Sequence, residues 1–355
     1  MAELPHLVAG LPGIGGRIRE ADDDFQVEEI PAYGPAGEGA HVLAWIEKRG
    51  LTTFDVVNRL AAALGVDPGD VGSAGLKDRH AVTRQQLSLP PPCTPEQALA
   101  LDLPGVRVLS AGRHPHKLRT GHLRGNRFVI VVREVGPAAD EAAARAGAIL
   151  AALAAPPGSP NWYGEQRFGA AGDNAAVGRA LITGGPLPAG ARRPQGRQKR
   201  LMVSAFQSEL FNDWLRRRIA DGLYRAVLAG DVLQKRATGG VFVCADPDTD
   251  GARLAAGELV VTGPMFGHAM RRPAPGSPAE TREDAVLADA GIELAAFGRA
   301  GKLAEGTRRA AAVDLGEPAA RPAGPHAVEL CFDLPAGAYA TAVLREIIEV
   351  NKTPC

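Results

Sequence analysis

The sequence predicts an α+β protein, with one domain assembled from both ends of the chain and a second domain inserted between them. Two observations carry this reading. Segments with the alternation of half-buried strands gather towards the two termini, and the chain changes to helical spacing after a Pro156-Pro157-Gly158 break. The 355 residues, 45% of them apolar, suffice for about two domains of ~150 residues.

Near the N-terminus, Phe25 to Ile30 (FQVEEI) alternates as a strand. His41 to Lys48 (HVLAWIEK) reads as its hairpin partner across the Gly/Pro-rich loop 34–39. Thr52 or Thr53 caps a helix to Leu64, with Phe54, Val57, Leu60, Ala61 and Leu64 on one face. Val71 to Leu76 predicts a short strand that ends in a loop, KDRHAVT. Gln86 to Leu89, Val106 to Ala111 and Arg127 to Glu134 are further strands, and residues 138–154 form an Ala-rich helix closed by the Pro/Gly break. Ser204 and Gln207 have the spacing of a capping box, ahead of Phe206, Leu210, Phe211, Trp214 and Leu215, which read as core. Residues 263–325 show no strong periodicity. Val328 to Leu334 returns to a strand, and Tyr339 to Val350 is an amphipathic helix carrying Val343, Leu344, Ile347 and Ile348.

Lys+Arg and Asp+Glu balance at 40 each, so net charge gives no argument for a polyanionic partner. The distribution does. Arg113, Lys117, Arg119, Arg124, Arg127 and Arg133 occupy a stretch without a single acid, and a second basic tract holds Arg192, Arg193, Arg197, Lys199 and Arg200. Arginine suits bidentate phosphate contact. The same bias follows from GC-rich coding, so polyanion binding and a solvated face both fit. Cys93, Cys244, Cys331 and Cys355 form no CxxC pair, as expected of reduced thiols in a cytosolic protein. No signal peptide is visible, and no run approaches the ~20 apolar residues of a spanning helix.

Several motifs fail. GLPGIGG lacks the dinucleotide-binding spacing, and there is no Walker-type phosphate loop, H-E-x-x-H or G-x-S-x-G. His114, His116 and His122 have no Cys or acid among them, and read as loop or RNA-facing histidines rather than metal ligands. Asp246, Asp248, Asp250 and Gly251 imitate a calcium loop, but the bidentate Glu should fall at 257, which is Gly257; Glu258 is one place late, and a turn explains the acids better.

The informative stretch is AGLKDRHAVTRQ, residues 74–85, where one acid, Asp78, sits among basic residues just past a strand end. By spacing alone such an Asp is a turn former or a salt-bridge member. The stretch, however, resembles the signature of the TruD-type tRNA pseudouridine synthases. Four more segments resemble that family in the same order: DDFQVEE (23–29), RGNRF (124–128), NWYGEQRFG (161–169) and LPAGAYATAVLREI (334–347). The likeness runs from about residue 15 to 350.

The resemblance implies a pseudouridine synthase fold, a mixed and mainly antiparallel sheet with flanking helices, formed by residues 1–158 and 306–355. Residues 159–305 would be the inserted TruD-specific α/β domain, its basic tract lining an RNA cleft. It implies an isomerase that acts on tRNA in the cytoplasm, at uridine 13 of the D arm, with no cofactor and no metal. Asp78 takes the family's catalytic position; attack on the sugar, attack on the ring and removal of the 2′ proton all fit a carboxylate. A cationic partner is expected, and Arg345 is the candidate by analogy with a basic partner in related synthases; a surface arginine is the other reading. The target uridine must be flipped out and held. The resemblance assigns that task to Phe128, Asn126, Phe25 and Tyr339, the last a Tyr where the family commonly has Phe. Lys77, Arg79 and His80 flank Asp78 and are candidates for holding phosphate or stabilising charge. Asn161, Gly164 and Gly169 look like turn-setting residues, and Arg167 either contacts RNA or pairs with Glu165. Two rival readings are a non-catalytic tRNA-binding protein or RNA chaperone of the same fold, and a metal-dependent nuclease or calcium module resting on the 246–250 acids.

Overall fold

The computed structural model describes residues 4–169 and 171–348; the side chain of Arg197 and the expectations placed on Val350 and Cys355 lie outside that description. In chain order the principal elements are β1 (Phe25–Pro31), β2 (His41–Arg49), α1 (Thr53–Leu64), β3 (Gly72–Ser73), β4 (Val82–Leu89), α2 (Pro95–Leu99), β5 (Val106–His114), β6 (Leu123–Arg133), α3 (Ala139–Ala154) and β7 (Ser159–Pro160). There follow α4 (Asn174–Thr183), α5 (Gly196–Ala220), β8 (Val232–Lys235), β9 (Val241–Val243), α6 (Pro247–Ala255), β10 (Leu259–Met265) and α7 (Pro278–Asp289). The chain closes with β11 (Thr307–Ala310), β12 (Ala312–Val313), β13 (Ala319–Pro322), β14 (Ala327–Pro335) and α8 (Ala340–Ile348).

The chain divides into two compact units. The first, the sheet unit, comprises residues 11–151, 315–337 and 347–348. Its sheet runs β13-β14-β6-β1-β4-β2-β5, with β3 paired to β4 off the path. Every pair is antiparallel except β1 and β4. The mixed, mainly antiparallel sheet is therefore as expected, but the β1–β2 hairpin is not: β4 lies between them. All of β4 except Arg84 is buried, so it needs a neighbour on each side. Its polar run Arg84-Gln85-Gln86 masks that centrality in the sequence.

α1 begins as expected. Thr52 accepts from the Asp55 N–H, and the Asp55 carboxylate accepts from the Thr52 N–H. Its buried face is Thr53, Val56, Leu60 and Ala61, so the helix is turned relative to the predicted stripe, and Phe54 is left exposed. The core beneath it joins Val42, Ala44, Ile46, Leu87 and Leu89 to Val56 and Leu60. Burying each such side chain contributes about 1.5–3 kcal/mol.

The second, helix-rich unit comprises residues 4–10, 152–314 and 338–346. A small sheet, β11-β10-β8-β9, and the β7–β12 pair surround a core of Trp162, Phe206, Phe211, Trp214, Phe266 and Phe297. Ser204 and Gln207 do not cap a helix. They lie inside the 25-residue α5, where Gln207 Nε2 donates 2.7 Å to the Phe266 carbonyl. Residues 263–325, without evident period, still contain α7, which begins at a Ser277 cap followed by Pro278. Asp246 caps α6 by accepting from the Asp248 and Thr249 N–H groups, and Asp250 bonds Arg253, which accounts for two of the acids of the calcium-like run. Among the described residues no helix is long and apolar enough to cross a membrane.

Candidate active site

Alternation along the strands and their register put Phe25, Val27 and Glu29 of β1 on the same sheet face as Asn126 and Phe128 of β6 and Phe332 of β14. The same face continues through Thr83 and Gln85 of β4 to Lys48 of β2. It is unusually polar for a covered surface: Glu29, Lys48, Thr83 and Gln85 are all buried. Such groups are costly to bury unless satisfied. Most are satisfied by the loop that carries Asp78.

That loop is fixed by hydrogen bonds at successive residues. Gly121 N–H donates to the Ala74 carbonyl at 2.8 Å. The Lys77 N–H donates to Thr53 Oγ1 at 2.9 Å, and Thr53 Oγ1 donates to Gln85 Oε1. The Lys77 ammonium points inward to Glu29 at 2.9 Å, a pair buried on both sides. Lys48 Nζ donates to the Asp78 carbonyl at 2.6 Å and to the Leu51 carbonyl at 2.6 Å. Burial pushes the Lys48 pKa down to about 8, with the neighbouring Asp78 carboxylate acting in the opposite sense. Lys77 is thus used to hold the loop. Arg79 pairs with Asp55 at 3.2 Å, and His80 is exposed, with no side-chain hydrogen bond among the described residues.

With the backbone anchored, the Asp78 side chain turns outward and is 54% exposed. Its ion-pair partner is Arg19, whose Nη2 lies 3.0 Å from Asp78 Oδ2. The Arg19 guanidinium sits 4.3 Å above the Phe25 ring, and its backbone adopts φ 65°, a left-handed conformation uncommon for a non-glycine residue. Phe25 meets Phe128 edge-on at 6.3 Å, and Phe128 stacks on Phe332 at 5.6 Å. Phe25 and Phe128 are nearly buried in this stack. Asn126, two residues before Phe128, has a buried Oδ1 with no hydrogen-bond donor among the described residues. An orphaned acceptor on this face is a place where a ligand N–H would be satisfied.

The structure therefore brings Asp78, Phe25, Asn126 and Phe128 into one unit, about one sheet face and its covering loop. Tyr339 and Arg345 belong to the helix-rich unit. Tyr339 meets Tyr163 edge-on at 6.0 Å, and burial raises its phenol pKa. Gly164 makes that contact possible, since a Cβ there would meet Thr341 Oγ1 at 2.8 Å and the Tyr339 ring at 3.4 Å. Arg345 donates to the Leu4 and Pro5 carbonyls and lies 3.5 Å from Glu346. The sequence points to Arg345 as the cation for Asp78; the guanidinium paired with Asp78 is that of Arg19.

Within the NWYGEQRFG stretch, Asn161 is buried and donates to the Ala310 carbonyl. Arg167 makes no salt bridge with Glu165; it donates to the hydroxyls of Ser204 and Ser208 and faces Tyr163. His114 stacks on Tyr33 at 5.0 Å and Tyr33 bonds His122 at 2.6 Å, so two of the three clustered histidines are tied to a tyrosine. Among the described residues no group of three His, Cys, Asp or Glu is arranged to hold a metal ion.

Arg19 and Lys48 lie outside the motifs, and Glu29, although inside DDFQVEE, is given no role by them. Signals existed for two of them: Lys48 continues the inward parity of Val42, Ala44 and Ile46, and Glu29 that of Phe25 and Val27. Arg19 follows Arg17 just before an acidic run and gives no comparable sign.

Comparison with known proteins agrees over nearly the whole chain. The family model described as tRNA pseudouridine synthase D (TruD) matches residues 2–191 and 189–347. A tRNA pseudouridine synthase D from Anaeromyxobacter dehalogenans is 51% identical over 352 residues, covering 99% of this chain and 98% of that protein. One from Thermus thermophilus is 42% identical over 347 residues, covering 98% and 92%. A crystal structure carrying the TruD name, from Methanosarcina mazei, superposes with a TM-score of 0.79 at 23% identity over 99% of each chain, a likeness of fold.

Proposed function

The chain belongs to the TruD family of tRNA pseudouridine synthases, and from that membership we propose that it isomerises uridine to pseudouridine in tRNA with Asp78 as the catalytic carboxylate. The observation that carries the assignment to Asp78 is its setting: an exposed carboxylate, paired with Arg19, on a loop whose backbone is anchored by Lys48, Lys77 and Thr53. A reacting group held this way loses little freedom when substrate arrives.

In the reaction the C1′–N1 bond of the nucleotide breaks and a C1′–C5 bond forms. The C5 proton is lost and N1 regains one, so no electron carrier is consumed. The uracil has to leave the base stack. We assign Phe25 and Phe128 to ring contacts with the extruded nucleotide and Asn126 to its base edge; by family, Tyr339 is assigned a substrate contact of its own. The orphaned Asn126 Oδ1 supports that role, because an imide N–H would supply the missing donor. Arg19 covers Phe25 in the free protein, so a base that stacks on Phe25 displaces it. Arg19 supplies the counter-charge to Asp78. By family, the substrate position is uridine 13 of the D arm, residues 1–158 with 306–355 are assigned to the catalytic domain and 159–305 to the inserted domain, and the enzyme works in the cytoplasm; the compact units draw the division differently, with 4–10, 152–158, 306–314 and 338–346 in the helix-rich unit.

The test is incubation with unmodified tRNA transcripts followed by chemical mapping of pseudouridine. One new pseudouridine in the D arm, absent with Asp78→Ala, is the expected result. A protein that binds tRNA yet leaves every uridine unchanged would be the non-catalytic RNA binder instead.

A further inference from the structure

Arg167 poses a problem of charge. Its guanidinium is half-buried in the helix-rich unit, and among the described residues no carboxylate lies within ion-pair distance of it. Nε donates to Ser208 Oγ at 3.2 Å and Nη2 donates to Ser204 Oγ. The Ser208 hydroxyl donates its own proton to the Ser204 carbonyl at 2.8 Å, so it can only accept from Arg167. A guanidinium has five N–H donors. Two are used here, leaving three with no acceptor among the described residues. The group is held in place by neutral hydroxyls and by the Tyr163 ring, 5.4 Å from the guanidinium carbon, rather than neutralised.

The surroundings reinforce the sign. The Arg309 guanidinium carbon lies 3.9 Å from the centre of the same Tyr163 ring, so two guanidiniums share it, and Tyr163 in turn meets Tyr339. Residues 200, 204 and 208 fall at i, i+4 and i+8 on α5 and so share a face. The exposed Arg200, which forms no salt bridge among the described residues, therefore stands one turn from the Ser204 that holds Arg167. A fixed guanidinium at Arg167 and an exposed one at Arg200, neither with an acid partner among the described residues, match the oxygens of successive phosphates far better than they match a protein partner's mixed surface.

We propose that Arg167 and Arg200 form a phosphate-binding row that grips the tRNA backbone alongside the Tyr163–Tyr339 aromatic pair. The proposal rests on the tRNA reading given above. It makes Arg167 a positioning residue for the substrate strand and leaves the chemistry to the sheet unit.

The experiment is tRNA binding by the full-length protein across a salt series, with single-turnover rates at saturating tRNA. Removing one phosphate contact reduces the slope of log K against log salt by about 0.7–0.9. Arg167→Ala is expected to reduce the slope by about one such unit and weaken binding about tenfold, with the saturated rate within about twofold of wild type. Arg167→Lys keeps the charge and is expected to keep the slope. Arg200→Ala is expected to remove a further unit, additively with Arg167→Ala. A wild-type slope in Arg167→Ala, or an equal fall in slope in Arg167→Lys and Arg167→Ala, overturns the proposal in favour of a purely structural arginine. A wild-type protein that binds tRNA without forming pseudouridine defeats the catalytic reading alone, since the slopes are measured independently of turnover.

Discussion

Arg19 and Asp78, 59 positions apart in the chain, form an ion pair at 3.0 Å, and the same guanidinium sits 4.3 Å from the centre of the Phe25 ring. One side chain thus orients the carboxylate and shields the aromatic ring beside it. An exposed pair of this kind contributes about 0.2–1 kcal/mol in the free protein; once bound tRNA excludes water the charge-assisted bond rises towards about 1.5–3 kcal/mol, or roughly 10- to 100-fold in rate if it is felt in the transition state. Arg19→Ala is expected to lower the single-turnover rate by that range while tRNA affinity changes less, and Arg19→Lys to recover part of it. Equal rates in wild type and Arg19→Ala would remove Arg19 from the site.

The buried Lys77–Glu29 pair predicts a separation of stability from activity. Removing one partner strands a buried charge, at a cost of about 3–5 kcal/mol, whereas replacing both by apolar groups is often near neutral. Lys77→Met and Glu29→Leu are each expected to lower the midpoint of chemical denaturation markedly. The double variant should recover most of the stability but not the activity, because the loop bearing Asp78 has lost its inward anchor. Full activity in the double variant would show the anchor to be dispensable.

Lys48 predicts a pH dependence. Burial lowers its pKa from the ordinary lysine value of 10.5 to about 8 in the folded protein. Between these values the unfolded chain binds the proton that the folded chain has released, so this group makes stability rise with pH from about 8 to about 10.5; below pH 8 both states are protonated and the penalty for the buried charge is constant. Denaturation curves compared between wild type and Lys48→Met across this window should show a rise present only in the wild type. Parallel pH profiles would mean that Lys48 does not titrate there.

Asn126 tests whether an unsatisfied group is kept for ligand. Its Oδ1 gains no hydrogen bond among the described residues, so Asn126→Ala should cost little in stability, within about 1 kcal/mol. If the amide reads the uracil edge, activity should fall at least tenfold with tRNA affinity nearly intact. A stability loss as large as that of a core truncation would instead mark it as structural.

Much of this was legible in the sequence because strand alternation and turn chemistry are local. β1, β14, α1 and α3 follow directly from residue order. Strand neighbours were not, since β4 separates β1 from β2 and its glutamines resemble a solvated strand until the Asp78 loop is seen to satisfy one of them. The site divides in the same way. Asp78, Asn126 and Phe128 stand in recognisable motifs, whereas Arg19 acquires its role only when the fold brings it to Asp78, and Lys48 only when its parity is followed into a covered face. The α5 start was misplaced because the apolar periodicity begins at Val203, about two turns after the helix does.

The most direct measurement is pseudouridine mapping on a defined tRNA transcript with wild type and Asp78→Ala at equal concentration, alongside tRNA binding by both. The account predicts one modified uridine with the wild type, none with Asp78→Ala, and comparable binding. Pseudouridine formed at the wild-type rate by Asp78→Ala would contradict it.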